Sequence, residues 1–423
     1  MKAKSKICRA FIFTALFFSV PCFLFSTEAE PLKNRGDYLN IKLAVIGPGD
    51  ELYFWWGHLG LLVEDELSGN ARFYDYGVFT FRSDNFISNF ALGRLWYTTI
   101  VSNASDAIAE YVASNRDITF LTLNLSNEQK LEFLRLTENN IRPENRDYLY
   151  NHFSDNCVTR ILNNIDTVLD GAFYRAAKEQ KGRFTLRGHV RRHTARHPFA
   201  DWLLNFWMGQ VIDKKISAKE EMFLPSEVER FASGFNYTDA NGKERPLISK
   251  VEKAYISDRP PVLEAPWNNI PFAVCGGIII AFYFIFSIFI AKKDASLGLK
   301  LYGAGNAIFG LLFGIAGSLL FFMEFWTNHD YTFENSNVIF ANPLLLTAVP
   351  FGIMLALADT GKKAARCRAV LRVLWTYVFL AALLALIIKI LPEYYQENLF
   401  VILVFLPVAF IQSSIPVLLK WWK

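Results

Sequence analysis

The residue best suited to covalent chemistry is the cysteine of HFSDNCVTRIL, residues 152 to 162. After Cys157, apolar residues recur at Val158, Ile161, Leu162, Ile165, Val168 and Leu169, the spacing of one helix face. Ser154 and Asp155 are N-cap residue types just upstream, and Gly171 is a stop signal beyond. The pattern predicts a thiol in the first turn of an amphipathic helix. Helix N-termini favour the reactive thiolate, and their free N–H groups can hold an oxyanion. On spacing alone, a small buried apolar side chain is an equal reading of Cys157.

A nucleophile needs a base. His58 opens HLGLLVED, an apolar run that reads as a buried strand, and ARFYDYGVF reads as the returning strand of a hairpin. If Val63 lies opposite Arg72, Asp75 falls opposite Gly60, on the face of His58, and can fix the imidazole tautomer. Tyr74 and Tyr76 are alternatives on the other face or one step along. His152, five residues before Cys157, is a second candidate base. Asp155 and Asn156 flank the thiol, and the backbone N–H groups of Cys157 and Asn156 are candidate oxyanion donors.

His189, His193 and His197 recur every four residues in GHVRRHTARHP, but arginines interleave and no acidic or cysteine ligand is near. No metal or other cofactor is expected. From Arg175 to Arg196 eight Lys or Arg face a single Glu. This reads as a solvated face, or as contact with anionic lipid headgroups. A formal net charge of +4 on 423 residues implies no global electrostatic partner, and nucleic acid fits poorly with an exported chain anchored in a membrane.

The elements that must hold these residues fall into a mixed region and an apolar one. Lys2, Lys4, Lys6 and Arg9 precede an apolar run to Phe25 and then STEAEP, so residues 1–29 read as a signal peptide or N-terminal anchor. Residues 30–257 read as an exported domain and 258–268 as a Pro-rich linker. Residues 269–423 read as an all-α domain with five spans near 271–291, 301–323, 337–358, 369–391 and 398–418. The loops AKKDASLGLK and DTGKKAARCRAVLR are basic, whereas EFWTNHDYTFENSN and PEYYQEN carry no Lys or Arg. The positive-inside rule puts the basic loops and the C-terminus in the cytoplasm, with the exported domain outside. Of five cysteines, Cys8 and Cys22 belong to the signal, Cys275 to a span and Cys367 to a cytoplasmic loop. Cys157 is therefore the only cysteine of the exported domain, an unpaired thiol in an oxidising compartment.

Between hairpin and cysteine lie an alternating strand, ITFLTLNL, and a helix opened by the capping box of Ser126 and Gln129. The order is histidine strand, further strands, then cysteine helix. That is an α+β domain of circularly permuted papain-like, or lecithin:retinol acyltransferase-like, arrangement, by fold-level analogy. GHLGLLVED, FYDYGVF, LNLSNEQ, RPENRDYLYNHFSDNCVTRI and EMFLPSEV together resemble the Bacteroides-type lipoprotein N-acyltransferase family (Lnb), and the five spans resemble its membrane domain. The resemblance implies transfer of an acyl chain from membrane phospholipid to the α-amino group of a lipoprotein's lipidated N-terminal cysteine. It implies Cys157 and His58 as the acting pair, with Asp75 as orienting group. A cysteine peptidase or amidase of the cell wall and a non-catalytic membrane receptor or assembly factor are the competing readings.

Overall fold

The computed structural model describes residues 34–79, 85–358 and 361–418; the expected signal segment lies outside them. The chain begins with β1 (Leu39–Ile46), β2 (His58–Asp65), β3 (Asn70–Val78), α1 (Phe86–Ala91), β4 (Trp96–Asn103), α2 (Ala104–Ala113), β5 (Ile118–Leu123), α3 (Asn127–Asn140), β6 (Asp147–Leu149) and α4 (Cys157–Val168). It continues through α5 (Ala172–Glu179), α6 (Leu186–Thr194), α7 (Pro198–Trp207), α8 (Ala218–Glu221) and α9 (Pro225–Gly234) to β7 (Asn236–Thr238), β8 (Glu244–Pro246) and β9 (Ile248–Tyr255).

Seven strands form one antiparallel sheet, in the order β6-β4-β3-β2-β1-β5-β9. The central strands read as near-continuous apolar runs because both faces are covered. On one face Leu59, Leu61, Val63, Tyr74 and Tyr76 pack under Val158, Ile161, Leu162 and Ile165 of α4. On the other, Leu62 and Phe73 pack with Ala104 at the start of α2. Gly60 leaves room for the Phe73 ring, which would overlap any Cβ placed there. Each fully buried aliphatic side chain on α4 contributes roughly 1.5–3 kcal/mol, which is what fixes the helix to the sheet. The capping box of α3 forms as expected: Gln129 N–H donates to Ser126 Oγ over 3.2 Å, and Ser126 N–H to Gln129 Oε1 over 2.9 Å.

The C-terminal region holds α10 (Ile270–Lys293), α11 (Ala295–Trp326), α12 (Ala348–Ala356), α13 (Lys362–Ile388) and α14 (Leu399–Leu418). Four segments are long and apolar enough to cross a membrane: Ile270–Lys293, Ala295–Trp326, Ser336–Ala356 and Lys362–Ile388. The apolar stretch of α14, Leu399–Ser414, is shorter, so by length and composition four of the five expected spans are met among the described residues. Cys367, expected in a loop, lies in α13 and is buried. The two loops without Lys or Arg both meet the N-terminal domain. Asn151 Nδ2 donates to both Asp330 carboxylate oxygens over 3.1 and 2.9 Å, and Gln396 Nε2 donates to Met208 O over 3.0 Å.

The basic stretch is solvated only in part: Arg175, Lys178, Lys181, Arg183 and Arg196 are exposed, whereas the basic residues of α6 are interior. Arg187, His189, Arg191 and Arg192 of α6 are buried. Arg187 Nε donates to Asp213 Oδ1 over 2.6 Å, and its Nη groups reach the carbonyls of Asn205, Met208 and Gly209. His189 Nε2 meets Glu221 Oε1 at 2.8 Å, Arg192 pairs with Glu227 at 2.9 Å, and Arg191 pairs with Glu397 beyond α13. The acidic partners lie 26 to 206 residues downstream, beyond the reach of any local count of charge. The helix α7 continues this junction, with Trp202 and Phe206 entering the core of the membrane region.

Candidate active site

The hairpin register is the one expected: Val63 pairs with Arg72 and Gly60 with Asp75. Strand alternation therefore puts Asp75 on the His58 face, and His58 Nε2 lies 3.1 Å from Asp75 Oδ1. That nitrogen is buried, and the contact is an ion pair in distance, set off the line of a straight hydrogen bond. Asp75 is held from two further sides. Gly77 N–H donates to Oδ1 over 2.7 Å, and Tyr111 Oη, from α2, donates to Oδ2 over 3.0 Å. The β3–β4 ladder shifts register between Asp75 and Val78, an irregularity of the kind that re-aims side chains. Gly77 sits in that shift with the imidazole against it; a Cβ there would lie 2.6 Å from His58 Cε1.

Cys157 is the first residue of α4, partly buried and unpaired. Its sulfur faces the same imidazole closely enough to act on its protonation. Burial works to lower the His58 pKa, but the Asp75 carboxylate and then the Cys157 sulfur outweigh it and push it up to about 10. Burial likewise works to raise Asp75, but the charge of His58 with the donors from His58, Gly77 and Tyr111 hold it at about 2. Near neutral pH the corner thus contains a carboxylate, an imidazolium and a sulfur beside it. Such an arrangement can hold and return a proton while the sulfur carries a covalent adduct.

The other residues singled out from sequence lie elsewhere in the arrangement. Asn156, not Ser154 or Asp155, is the N-cap: its Oδ1 accepts from Val158 and Thr159 N–H over 2.9 and 3.0 Å. Its Nδ2 is spent on His152 O and Phe223 O, and its backbone N–H on Thr159 Oγ1, so Asn156 has no donor left for an oxyanion. The Cys157 N–H, at the first position of the helix, has no intrahelical acceptor. Asp155 is bound bidentately by Arg160 over 2.6 and 2.7 Å and ties down the loop. Tyr74 is on the opposite face of β3, donating to Glu138 over 2.5 Å. His152 is enclosed by Trp56, Phe153 and Phe223, and burial pulls its pKa down to about 4, so it is neutral. Gly171, at φ +76°, begins α5 after α4 has ended at Val168.

Sequence reasoning missed the aromatic wall. Tyr97 and Tyr150 stack at 4.0 Å between ring centroids, and Cys157 lies near enough to help raise the pKa of both. Tyr331, from the loop after α11, acts on both rings and packs on Phe153. The Asp75–Gly77 contact had a local signal, an Asp two residues before a Gly. Tyr111 had none, because only the packing of α2 carries it to Asp75.

The histidine stripe does not converge. His189 is in the α6 ion network, His193 Nδ1 meets Trp55 O at 2.8 Å, and His197 stacks on the Trp55 ring at 4.3 Å. A cavity of about 660 Å³ is lined in part by His193, His197 and Trp55, and neither Cys157 nor His58 lines it. Chemistry follows reactive groups and not void volume, so the Cys157–His58 corner is the candidate site.

A membrane protein with an N-terminal α+β domain set against a helical membrane region is thus defined by fold and hydropathy. Residues 30–192 match the family model described as the Lnb N-terminal periplasmic domain. Residues 30–192 therefore form a domain of the Lnb N-terminal type, a periplasmic one. No curated protein and no solved structure matches the chain.

Proposed function

We propose that this protein is a thiol-dependent acyltransferase that moves an acyl chain from membrane phospholipid to the α-amino group of a lipoprotein's lipidated N-terminal cysteine. The observation that carries the reading is His58 held between the Asp75 carboxylate and the Cys157 sulfur. Asp75 keeps the imidazolium charged and oriented through Nε2, leaving Nδ1 for the proton exchanged with the sulfur. The Cys157 thiolate attacks the phospholipid ester carbonyl. The tetrahedral oxyanion is received by the Cys157 N–H, in a role worth ~3 kcal/mol per donor in other enzymes. Collapse breaks the ester C–O bond, the leaving alkoxide takes the proton from His58, and a lysophospholipid departs from a thioester. The acceptor amine then attacks the thioester, His58 takes an amine proton, and the thiolate is released as the amide forms.

Both substrates are lipids, and a site joined to membrane spans confines their encounter to the bilayer surface. The permuted papain-like order, α14 as a fifth span, domain limits at 30–257, 258–268 and 269–423, and a cytoplasmic C-terminus in the inner membrane belong to this same reading. The reaction as written needs no metal or nucleotide. The test is intact mass of the detergent-solubilised protein after incubation with phospholipid. The expected result is an acyl adduct that hydroxylamine removes, that Cys157→Ser prevents, and that a diacylated lipopeptide discharges into an N-acylated product. Discharge by water alone makes the protein a phospholipase. No adduct on folded protein returns the peptidase and receptor readings.

A further inference from the structure

The helix α1 is built as if it were turned inside out. Its sequence is FISNFA, four apolar residues in six, yet no residue of it is buried. Ile87 is 82% and Phe90 54% exposed, and Ala91 is exposed too. These three stand at i, i+3 and i+4 and so share one helix face. Shortly after α1 in the chain, at the sheet edge, exposed Trp96 pairs with exposed Leu149 across β4 and β6. Large exposed apolar side chains grouped on one helix face mark a partner, and the question is which one.

The attachments of α1 answer it. The span α11 ends at Trp326 with Phe322, Phe325 and Trp326 exposed. Two residues later Asn328 N–H donates to Leu92 O over 2.9 Å, Arg94 Nε donates to Asn328 Oδ1 over 3.3 Å, and His329 Nε2 meets Phe90 O at 3.1 Å. Gly93, at φ +69°, lets the chain press against this loop; a Cβ would come within 2.8 Å of the Asn328 and His329 backbone. The helix α1 is therefore bolted to the residues that follow the aromatic end of an apolar span, and the Phe90 ring meets the His329 ring edge-on at 6.5 Å between centroids.

We propose that α1 is a bilayer-inserted element: Ile87 and Phe90 lie among the acyl chains of the membrane in which α11 is embedded, and the α1 edge is the side from which lipid reaches Cys157. The path is short in sequence. Trp96 carries the outer surface, and Tyr97, the next residue, stacks at 4.0 Å on Tyr150, which leads the loop into Cys157. Only the passage of lipid to Cys157 rests on the acyl-transfer reading; the depth of α1 does not, and the two are measured separately.

For depth, the full-length protein carries the photocrosslinker benzoylphenylalanine in place of Ile87 and is reconstituted in nanodiscs of phosphatidylethanolamine and phosphatidylglycerol. Leu312, 61% exposed on α11, is the lipid-facing control, and Leu67, 62% exposed in the β2–β3 turn, the water-facing one. A phospholipid adduct in intact mass is expected at position 87, within twofold of position 312 and at least tenfold above position 67. A yield at 87 no higher than at 67 overturns the proposal. For lipid passage, Ile87→Asp/Phe90→Asp is compared with Ile87→Leu/Phe90→Leu. The aspartate pair is expected to lower thioester loading from bilayer phospholipid at least tenfold, with loading from monomeric dihexanoyl phosphatidylcholine unchanged. Equal losses with both donors overturn the passage. Wild-type protein that loads from neither donor overturns the acyl-transfer reading and leaves the crosslinking result to decide the depth of α1.

Discussion

Two buried clusters of charge lie in the periplasmic domain, one on α6 and one at the end of the hairpin, and they are built to opposite ends. Around α6, Arg187 has acceptors for its Nε and both Nη groups, and its partner Asp213 also accepts from the Glu397 N–H. Glu221 is shared by His189, Arg230 and the backbone of Phe184. Every charge there is answered, so nothing is left to react. At the hairpin, Asp75 is as thoroughly held, but the imidazole it holds has a second side turned to a sulfur that forms no disulfide. Burial and ion pairing alone do not mark a catalytic site; a held group with reactive valence left over does.

That contrast breaks most sharply at the sulfur. Replacing Cys157 with serine is expected to lower acyl loading by ~10³-fold or more, with the melting temperature unchanged within about 2 °C, because the nucleophile carries the reaction and little of the packing. Arg187→Ala is expected to do the reverse. Leaving Asp213 buried without its partner costs about 3–5 kcal/mol, read as a lowered melting temperature in detergent, while Arg187→Met with Asp213→Leu recovers much of it. Asp75→Asn belongs between them, with loading down ~10²–10³-fold in a folded protein.

Asp75→Asn also sharpens the pH behaviour. His58 binds its proton more tightly folded than unfolded, so its contribution to stability is complete below about pH 6.5 and is lost as pH rises toward about 10. Asp75 contributes fully above about pH 3.8 and less as pH falls toward about 2. Denaturation midpoints followed from pH 6.5 to 10 are expected to fall in wild type, and to fall less in Asp75→Asn, where the imidazole has lost its carboxylate. The alkaline limb of the loading rate moves to lower pH in the same variant.

Two smaller changes test the scaffold of the site. Gly77→Ala puts a methyl group against His58 Cε1 and is expected to slow loading by ~10-fold or more, with a stability loss of about 1–3 kcal/mol. Tyr111→Phe removes one of the donors on Asp75 and is expected to cost about 1 kcal/mol, a loss of up to tenfold in loading rate. If Tyr111→Phe matched Cys157→Ser, the division between reacting and positioning residues at this corner would be wrong.

Much of this arrangement is legible locally. The α4 face, the hairpin register and the α3 capping box follow from side-chain period and cap chemistry, which act over a few residues. Sequence alone misplaces the α4 cap by one or two residues because Ser154, Asp155 and Asn156 are all competent caps, and only Asn156 also reaches Phe223 O, 67 residues away. The α6 part of the basic stripe misleads for the same kind of reason: charge counted along the chain ignores acids brought in by folding. The exposed apolar face of α1 gives no such signal at all, since six residues are too few for periodicity to speak.

The sequence by itself determined which residues carry chemistry and which side of each element they occupy, because those depend on residue type and on the periods of helix and strand. It also determined that the chain enters a membrane, since long apolar segments have nowhere else to go. Only the tertiary structure decided which of these residues meet. Cys157 and His58 come from elements separated by about a hundred residues, and Tyr111, Gly77 and the loop after α11 join them through packing that no local pattern encodes. The physical reason is that contact is set by the burial of whole faces, whereas sequence pattern reports only that a face exists.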